Sequence, residues 1–179
     1  MKRFAIAAMA AVMLTFTSSN AFALLSVSAD IPVMYSFKDA PGISESPATG
    51  LLLKLSTPIF LGLGLENYTV KPKTDAGAEL GNYKVTMYDL YIGLPIPFVN
   101  VNIGVGVGKG DLTPPTGSKT HDPALLTQYF VSLGYPFLGI MDVHVGMYDT
   151  KGNLKTKTTG LTDINVSSTM YTLGVLVGF

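Results

Sequence analysis

The last nine residues narrow what this chain can become. From Tyr171 to Phe179 they read Tyr-Thr-Leu-Gly-Val-Leu-Val-Gly-Phe. Side chains of an extended strand alternate between two faces. Tyr171, Leu173, Val175, Val177 and Phe179 therefore fall on one side, and Thr172, Gly174, Leu176 and Gly178 on the other. One face is unbroken and apolar, the other mostly small, and the apolar one needs something to cover it.

The same alternation recurs upstream. Leu25, Val27, Ala29, Ile31, Val33 and Tyr35 alternate with Ser26, Ser28, Asp30, Pro32, Met34 and Ser36. Leu51, Leu53 and Leu55 share a face opposite Lys54 and Ser56, and after Thr57-Pro58 the row Ile59, Leu61, Leu63, Leu65 opposes Phe60, Gly62, Gly64 and Glu66. Further rows are Tyr88 to Leu94, Val99 to Val107, Leu125 to Tyr135 and Met141 to Met147, each at period 2. Four polar, Gly-containing stretches, the first three also with Pro, separate them, at Lys38 to Thr49, Val70 to Asn82, Gly110 to Pro123 and Thr150 to Ile164. The remaining connections are short, as at Pro95-Ile96-Pro97 and Pro136 to Gly139. The pattern predicts eight strands whose connections alternate long and short.

Met1 to Ala23 reads as an export signal: Lys2 and Arg3 form a basic head, Phe4 to Phe16 an apolar run, and Ala21-Phe22-Ala23 a small-residue cleavage site. Cleavage after Ala23 would leave a single domain over residues 24–179. That apolar run is too short to cross a bilayer as a helix, and no later stretch is long enough. Without Lys2 and Arg3 no arginine remains, and ten lysines face twelve acids. A near-neutral chain of this kind offers no nucleic-acid-binding patch. Cysteine is absent, so neither a disulfide framework nor a thiolate metal site is available.

The terminal strand, with its closing Phe179 and Tyr171 eight residues upstream, resembles the C-terminal signature of bacterial outer-membrane β-barrel proteins. Over the whole mature chain the pattern is similar to the transmembrane domain of OmpA and to OmpX-like proteins. The resemblance implies an all-β fold, an eight-stranded antiparallel up-and-down transmembrane barrel in the outer membrane. It also implies that the last strand is read by the barrel-assembly machinery and closes against the first, with outer-membrane lipid and lipopolysaccharide as surroundings. Alternating long outer loops and tight periplasmic turns fit such barrels, and each apolar row spans about five residues of one parity, near the roughly 9–11 tilted residues that cross a bilayer. Tyr35, Tyr129 and Tyr171 would lie at the outer rim, and Tyr135 and Phe179 at the inner one.

Parity alone does not distinguish this barrel from a soluble one with an apolar interior. Side-chain size does. The mixed face carries Gly62, Gly64, Gly93, Gly104, Gly106, Gly108, Gly134, Gly146, Gly174 and Gly178. A water-facing surface would be dense in Lys and Glu, whereas a narrow lumen holds few large side chains, so the mixed face is expected inside. Pro32 fits poorly, because it lacks an amide donor within the first strand; a bulge, or pairing confined to one side, would accommodate it.

The inward candidates are Asp30, Lys54, Glu66, Asp89, Asp142 and His144. Ionisable groups there need partners or water. Lys54 is expected to bridge to Asp30, Glu66 or Asp89 and plug the lumen; the alternative is a water-filled, cation-preferring pore. Gly104 to Gly110 superficially suggests a phosphate loop, but Ile103 stands where the first glycine belongs and Gly110 where Ser or Thr is needed. Some barrels of the resembled class modify lipid A, and here Ser118, His121 and Asp122 are the residues approaching a catalytic set, without matching spacing. Asp111, His121 and Asp122 are a weaker metal set. Lys151, Lys155 and Lys157 could meet lipopolysaccharide phosphates or form a solvated face. The expectation is a monomeric, non-enzymatic barrel without cofactor or metal, whose role is structural or lies in its surface.

Overall fold

A computed structural model describes residues 25–38, 42–44, 47–57, 60–96, 98–137, 141–157, 160 and 162–178. The segment expected to be an export signal, the cleavage site expected after Ala23, and Phe179 lie outside these residues. Eight long strands follow one another: β1 (Ser26–Phe37), β2 (Ala48–Ser56), β3 (Leu61–Val70), β4 (Asn82–Ile96), β5 (Val99–Thr113), β6 (Ala124–Phe137), β7 (Met141–Leu154) and β8 (Ser168–Gly178). Each pairs antiparallel with its sequence neighbours, and β8 also pairs β1 from Ser26↔Gly178 to Phe37↔Ser168, closing the barrel. The terminal strand is thus the closing strand. The closed ladder satisfies backbone groups that an open edge would leave unpaired.

The two faces sort as the sequence predicts. Leu63, Tyr88, Val105, Leu133 and Val145 are among the exposed outward residues, while Asp30, Lys54, Glu66, Asp89, Asp142 and His144 are buried inside. An exposed apolar surface that wraps a whole barrel is far larger than the patches water-soluble monomers carry. Apolar outside with charge inside is the arrangement of a barrel that spans a bilayer.

Strand β1 corrects one expectation. The ladder to β8 shifts register between Pro32 and Met34, so Val33 is an extra residue, and both Val33 and Met34 stay outward. A bulge of one residue reverses the parity of everything after it. Tyr35 therefore points into the barrel, 3% exposed, instead of joining the outer aromatic rim. Pairing of β1 with β2 ends at Asp30, so Pro32 has a regular partner, Thr172, only on the β8 side.

The strands run further toward the long loops than the alternation suggests; β4 begins at Asn82, β5 ends at Thr113 and β7 at Leu154. The loops pair in twos. Ile43–Ser44 adds to Lys73–Thr74, and His121 bridges Thr156 between bonds Asp122 N–H to Lys155 O and Lys157 N–H to Thr120 O, both 2.8 Å. At the opposite end Phe60 and Phe98 occupy left-handed backbone, at φ 64° and 71°, and both rings are exposed. Phe60 was expected on the inner face; its turn conformation takes it out of the strand alternation. Such conformations cost a bulky residue about 1 kcal/mol or more, and here they place two aromatics at the short-turn rim, where membrane proteins concentrate them.

Candidate functional site

The interior is built in two layers, because the small residues and the large ones occupy different heights. Toward the long loops the inward rows are apolar: Tyr35, Tyr68, Tyr83, Val85, Met87, Leu126 and Met170 form a buried cluster. Sequence reasoning, which read the inner face through its glycines, missed this layer. Its signal is present in the parity of Tyr68, Tyr83 and Val85, which fall between the expected strand rows and the loop at Val70 to Asn82, and of Leu126, on the less apolar side of its row.

Below it lies the charged layer. Lys54 Nζ donates to Asp30 Oδ2 at 2.5 Å, with both side chains essentially inaccessible. Asp30 is held on further sides by Ser28 Oγ at 2.6 Å, the Tyr148 hydroxyl at 3.3 Å and His144 Nε2 at 2.7 Å. His144 Nδ1 faces Asp142 Oδ1 at 3.1 Å, and Asn100 Nδ2 donates to Asp142 Oδ2 at 2.6 Å. The ammonium of Lys54 also lies 5.3 Å and 5.4 Å from the ring centroids of Phe130 and Tyr148, which stack on each other at 4.8 Å. A buried cation is tolerated here because a carboxylate and two aromatic faces replace its water.

Glu66 and Asp89 are not bonded to Lys54. Gln128 gathers them instead: its Nε2 donates to Glu66 Oε1 at 2.8 Å and Asp89 Oδ1 at 2.9 Å, while its Oε1 accepts from Thr150 Oγ1 at 3.0 Å. The two carboxylates and the hydroxyl fix which end of the amide is which. The sequence pointed to the charged residues and passed over this neutral linker, since an inward glutamine carries no motif. Glu66 Oε2 and Asp89 Oδ2 have no hydrogen-bond partner among the described residues.

Glycines make the charged layer possible by leaving room for its long side chains. A Cβ on Gly106 would lie 2.1 Å from Asp89 Oδ1, and one on Gly134 2.2 Å from Asp142 Oδ2. The glycine row of β5 is therefore the seat of the β4 and β6 side chains, not a phosphate loop.

At the long-loop end a cavity of about 170 Å³ lies between the two loop pairs, with Phe37, Ile43, Leu80, Leu112, Leu154 and His121 in its wall. His121 Nε2–H donates to the Thr162 carbonyl at 3.2 Å, and Nδ1 meets Thr120 Oγ1 at 2.9 Å. Its ring nitrogens are thus occupied by neighbours other than Ser118 and Asp122. Asp122 pairs with Lys157 at 3.0 Å, and Asp111 with Lys119. No group of three candidate metal ligands converges among the described residues. Lys155 binds Asp163 at 2.6 Å, and that hydrogen bond holds the exposed carboxyl below its ordinary pKa.

No protein-family model matches this chain, and no curated protein matches it in sequence. Solved structures do match in fold. Neisserial surface protein A is 13% identical, with a TM-score of 0.62 over 87% of this chain and 97% of its own. The outer membrane protein OprG from Pseudomonas aeruginosa is 15% identical, with a TM-score of 0.56 over 88% of this chain and 96% of its own. With β8 closing on β1, an apolar outer wall and a charged inner layer, the chain has the fold of the small eight-stranded outer-membrane β-barrels.

Proposed function

We propose that the protein is an integral outer-membrane barrel whose lumen is closed by its own side chains and whose role is structural or exercised through its outer surface. The observation that carries this reading is the layer joining Lys54, Asp30, His144 and Asp142, seated on the Phe130–Tyr148 stack and overlaid by the apolar cluster of Tyr68, Tyr83 and Leu126. An ion crossing it would have to displace buried, mutually bonded groups, which is costly. The paired loops and the apolar cavity between them support a surface-facing role. His121 is bonded to Thr120 and Thr162 and to neither Ser118 nor Asp122, so the set weighed for catalysis is not assembled.

Single-channel recording in planar bilayers tests the closed lumen. Wild type and Lys54→Ala are both expected to show no unitary conductance. Stable steps in wild type would favour the second reading, a narrow cation-preferring pore, to which the partnerless oxygens of Glu66 and Asp89 lend support. Lipid A of unchanged mass in cells expressing the protein is the expected result for a non-enzymatic barrel. N-terminal sequencing of the membrane-extracted product should begin at Leu24.

A further inference from the structure

The lysines beyond the signal segment divide into two groups. Lys38, Lys54, Lys73, Lys119, Lys155 and Lys157 each lie within ion-pair distance of a carboxylate. Among the described residues Lys71, Lys84, Lys109 and Lys151 have no such pair. These four share one region. All are exposed, at the long-loop ends of β3, β4, β5 and β7, on the parity that faces outward. Lys71 follows Val70, the last residue of β3; Lys84 is opposite Thr69 and Asp111; Lys109 is opposite Thr86 and Leu125; Lys151 is opposite Thr127. Lys84 is therefore a diagonal neighbour of both Lys71 and Lys109, a step of about 7–8 Å. Lys151 lies beyond β6.

Like charges at this spacing repel and favour an anion between them. Two carboxylates stand nearby, each bonded through one oxygen to another lysine, and Asp111 Oδ1 keeps no hydrogen-bond partner among the described residues. Asp111, across from Lys84, is bonded by Lys119, and Asp149, two residues before Lys151, by Lys38.

The wall beneath the lysines has a shape of its own. In register, Tyr88, Val107, Thr127 and Lys151 form one row. An open groove is lined there by Leu63, Tyr88, Leu90, Val105, Val107 and Thr127. The short Val105 and Val107 of β5 and Thr127 of β6 form its floor beside the longer Tyr88 and Leu90 of β4. An apolar trough beneath a row of outward cations complements a molecule with a hydrocarbon chain at one end and an anion at the other.

We infer that the outer wall over β3–β7 binds a phosphate-bearing lipid, with an acyl chain in the groove and its phosphate on Lys109, flanked by Lys84 one strand away and Lys151 two strands away. This rests on the membrane-barrel reading above. It also relocates the contact from the loop lysines: Lys155 and Lys157 are engaged by Asp163 and Asp122, whereas Lys151 stands on the wall.

The test is native mass spectrometry of the full chain without its signal segment, folded in detergent and offered phosphatidic acid, phosphatidylcholine of the same chains, or inorganic phosphate. Heat-modifiable gel mobility is read first on every protein. The wild type should retain phosphatidic acid over phosphatidylcholine and keep no inorganic phosphate. Lys84→Gln/Lys109→Gln/Lys151→Gln should weaken that retention on the order of a hundredfold, given the contribution of each lysine near an anionic lipid surface. The charge-matched Lys73→Gln/Lys155→Gln/Lys157→Gln should leave it unchanged, and Val107→Trp, which fills the groove without altering charge, should lower it. A folded barrel that holds both lipids equally, keeps phosphatidic acid in the first triple variant, or retains inorganic phosphate alone overturns the lipid site and leaves the barrel reading standing. A wild-type chain that remains soluble without a heat-modifiable band overturns the barrel reading and the site together. Should the first triple variant not fold, wild-type selectivity and the Val107→Trp result decide.

Discussion

Asp30 and His144 meet at 2.7 Å across Gly174, the residue of β8 that is the register partner of both. The contact spans the barrel seam, so the last strand closes the fold and also seats the charged layer between the first strand and the seventh. A Cβ on Gly174 would lie 2.2 Å from Asp30 Oδ1 and 2.5 Å from His144 Nε2. Gly174→Ala should therefore push the pair apart and destabilise the barrel by about 1–3 kcal/mol. Urea unfolding in detergent, followed by the heat-modifiable band, checks this. Gly93→Ala is the comparison, because its Cβ would meet Asn102 Oδ1 at a milder 3.1 Å and should cost less.

Removing the lysine that faces Asp30 tests the buried pair. Lys54→Met leaves that buried carboxylate with its main cation gone, and one-sided loss of a buried pair costs about 3–5 kcal/mol. Adding Asp30→Asn should recover part of the loss, because the uncompensated charge goes too. A double-mutant cycle on the same unfolding assay measures the coupling; strict additivity would show that the two groups do not depend on each other.

Gln128 should matter more than its neutral side chain suggests. Gln128→Leu takes the donor from Glu66 and Asp89 together, and stranding buried acceptors costs about 1–3 kcal/mol each. Thr150→Val, which removes only the hydroxyl bond to the other end of the amide, should be milder. Equal midpoints for the two variants would contradict the linker role.

Val33 offers a test by deletion. It is the extra residue of the bulge, so removing it restores plain alternation, with Met34 outward and Tyr35 still inward. The barrel should survive with its heat-modifiable mobility intact. Deleting Val105 from the middle of β5 instead reverses the parity of the remaining strand residues, putting Val107 inside and Gly108 outside, and should abolish the folded band. Loss of folding in the Val33 deletion would mean that Pro32 needs the bulge.

Much of the architecture was legible because a strand's period is short and local. Leu61, Leu63 and Leu65 against Gly62, Gly64 and Glu66 declare two faces within six residues, and no tertiary knowledge is needed to see that one is apolar. The charged side chains of the inner face were legible for the same reason. Their partners were not. Lys54 could have reached Asp30, Glu66 or Asp89, and the choice depends on barrel stagger, which brings Asp30 within bonding distance of Lys54 and places Glu66 and Asp89 around Gln128. Tyr35 was misplaced because one inserted residue changes parity without any composition signal beyond a nearby proline.

Sequence alone determined the all-β character, the eight strands, their long and short connections and which row is apolar, since these come from side-chain alternation along a single strand. Tertiary structure decided which lysines find a carboxylate and which remain on the outer wall, and that His144 bridges Asp30 and Asp142. The physical reason is that pairing across strands depends on register and curvature, which belong to the closed barrel and to no segment of it.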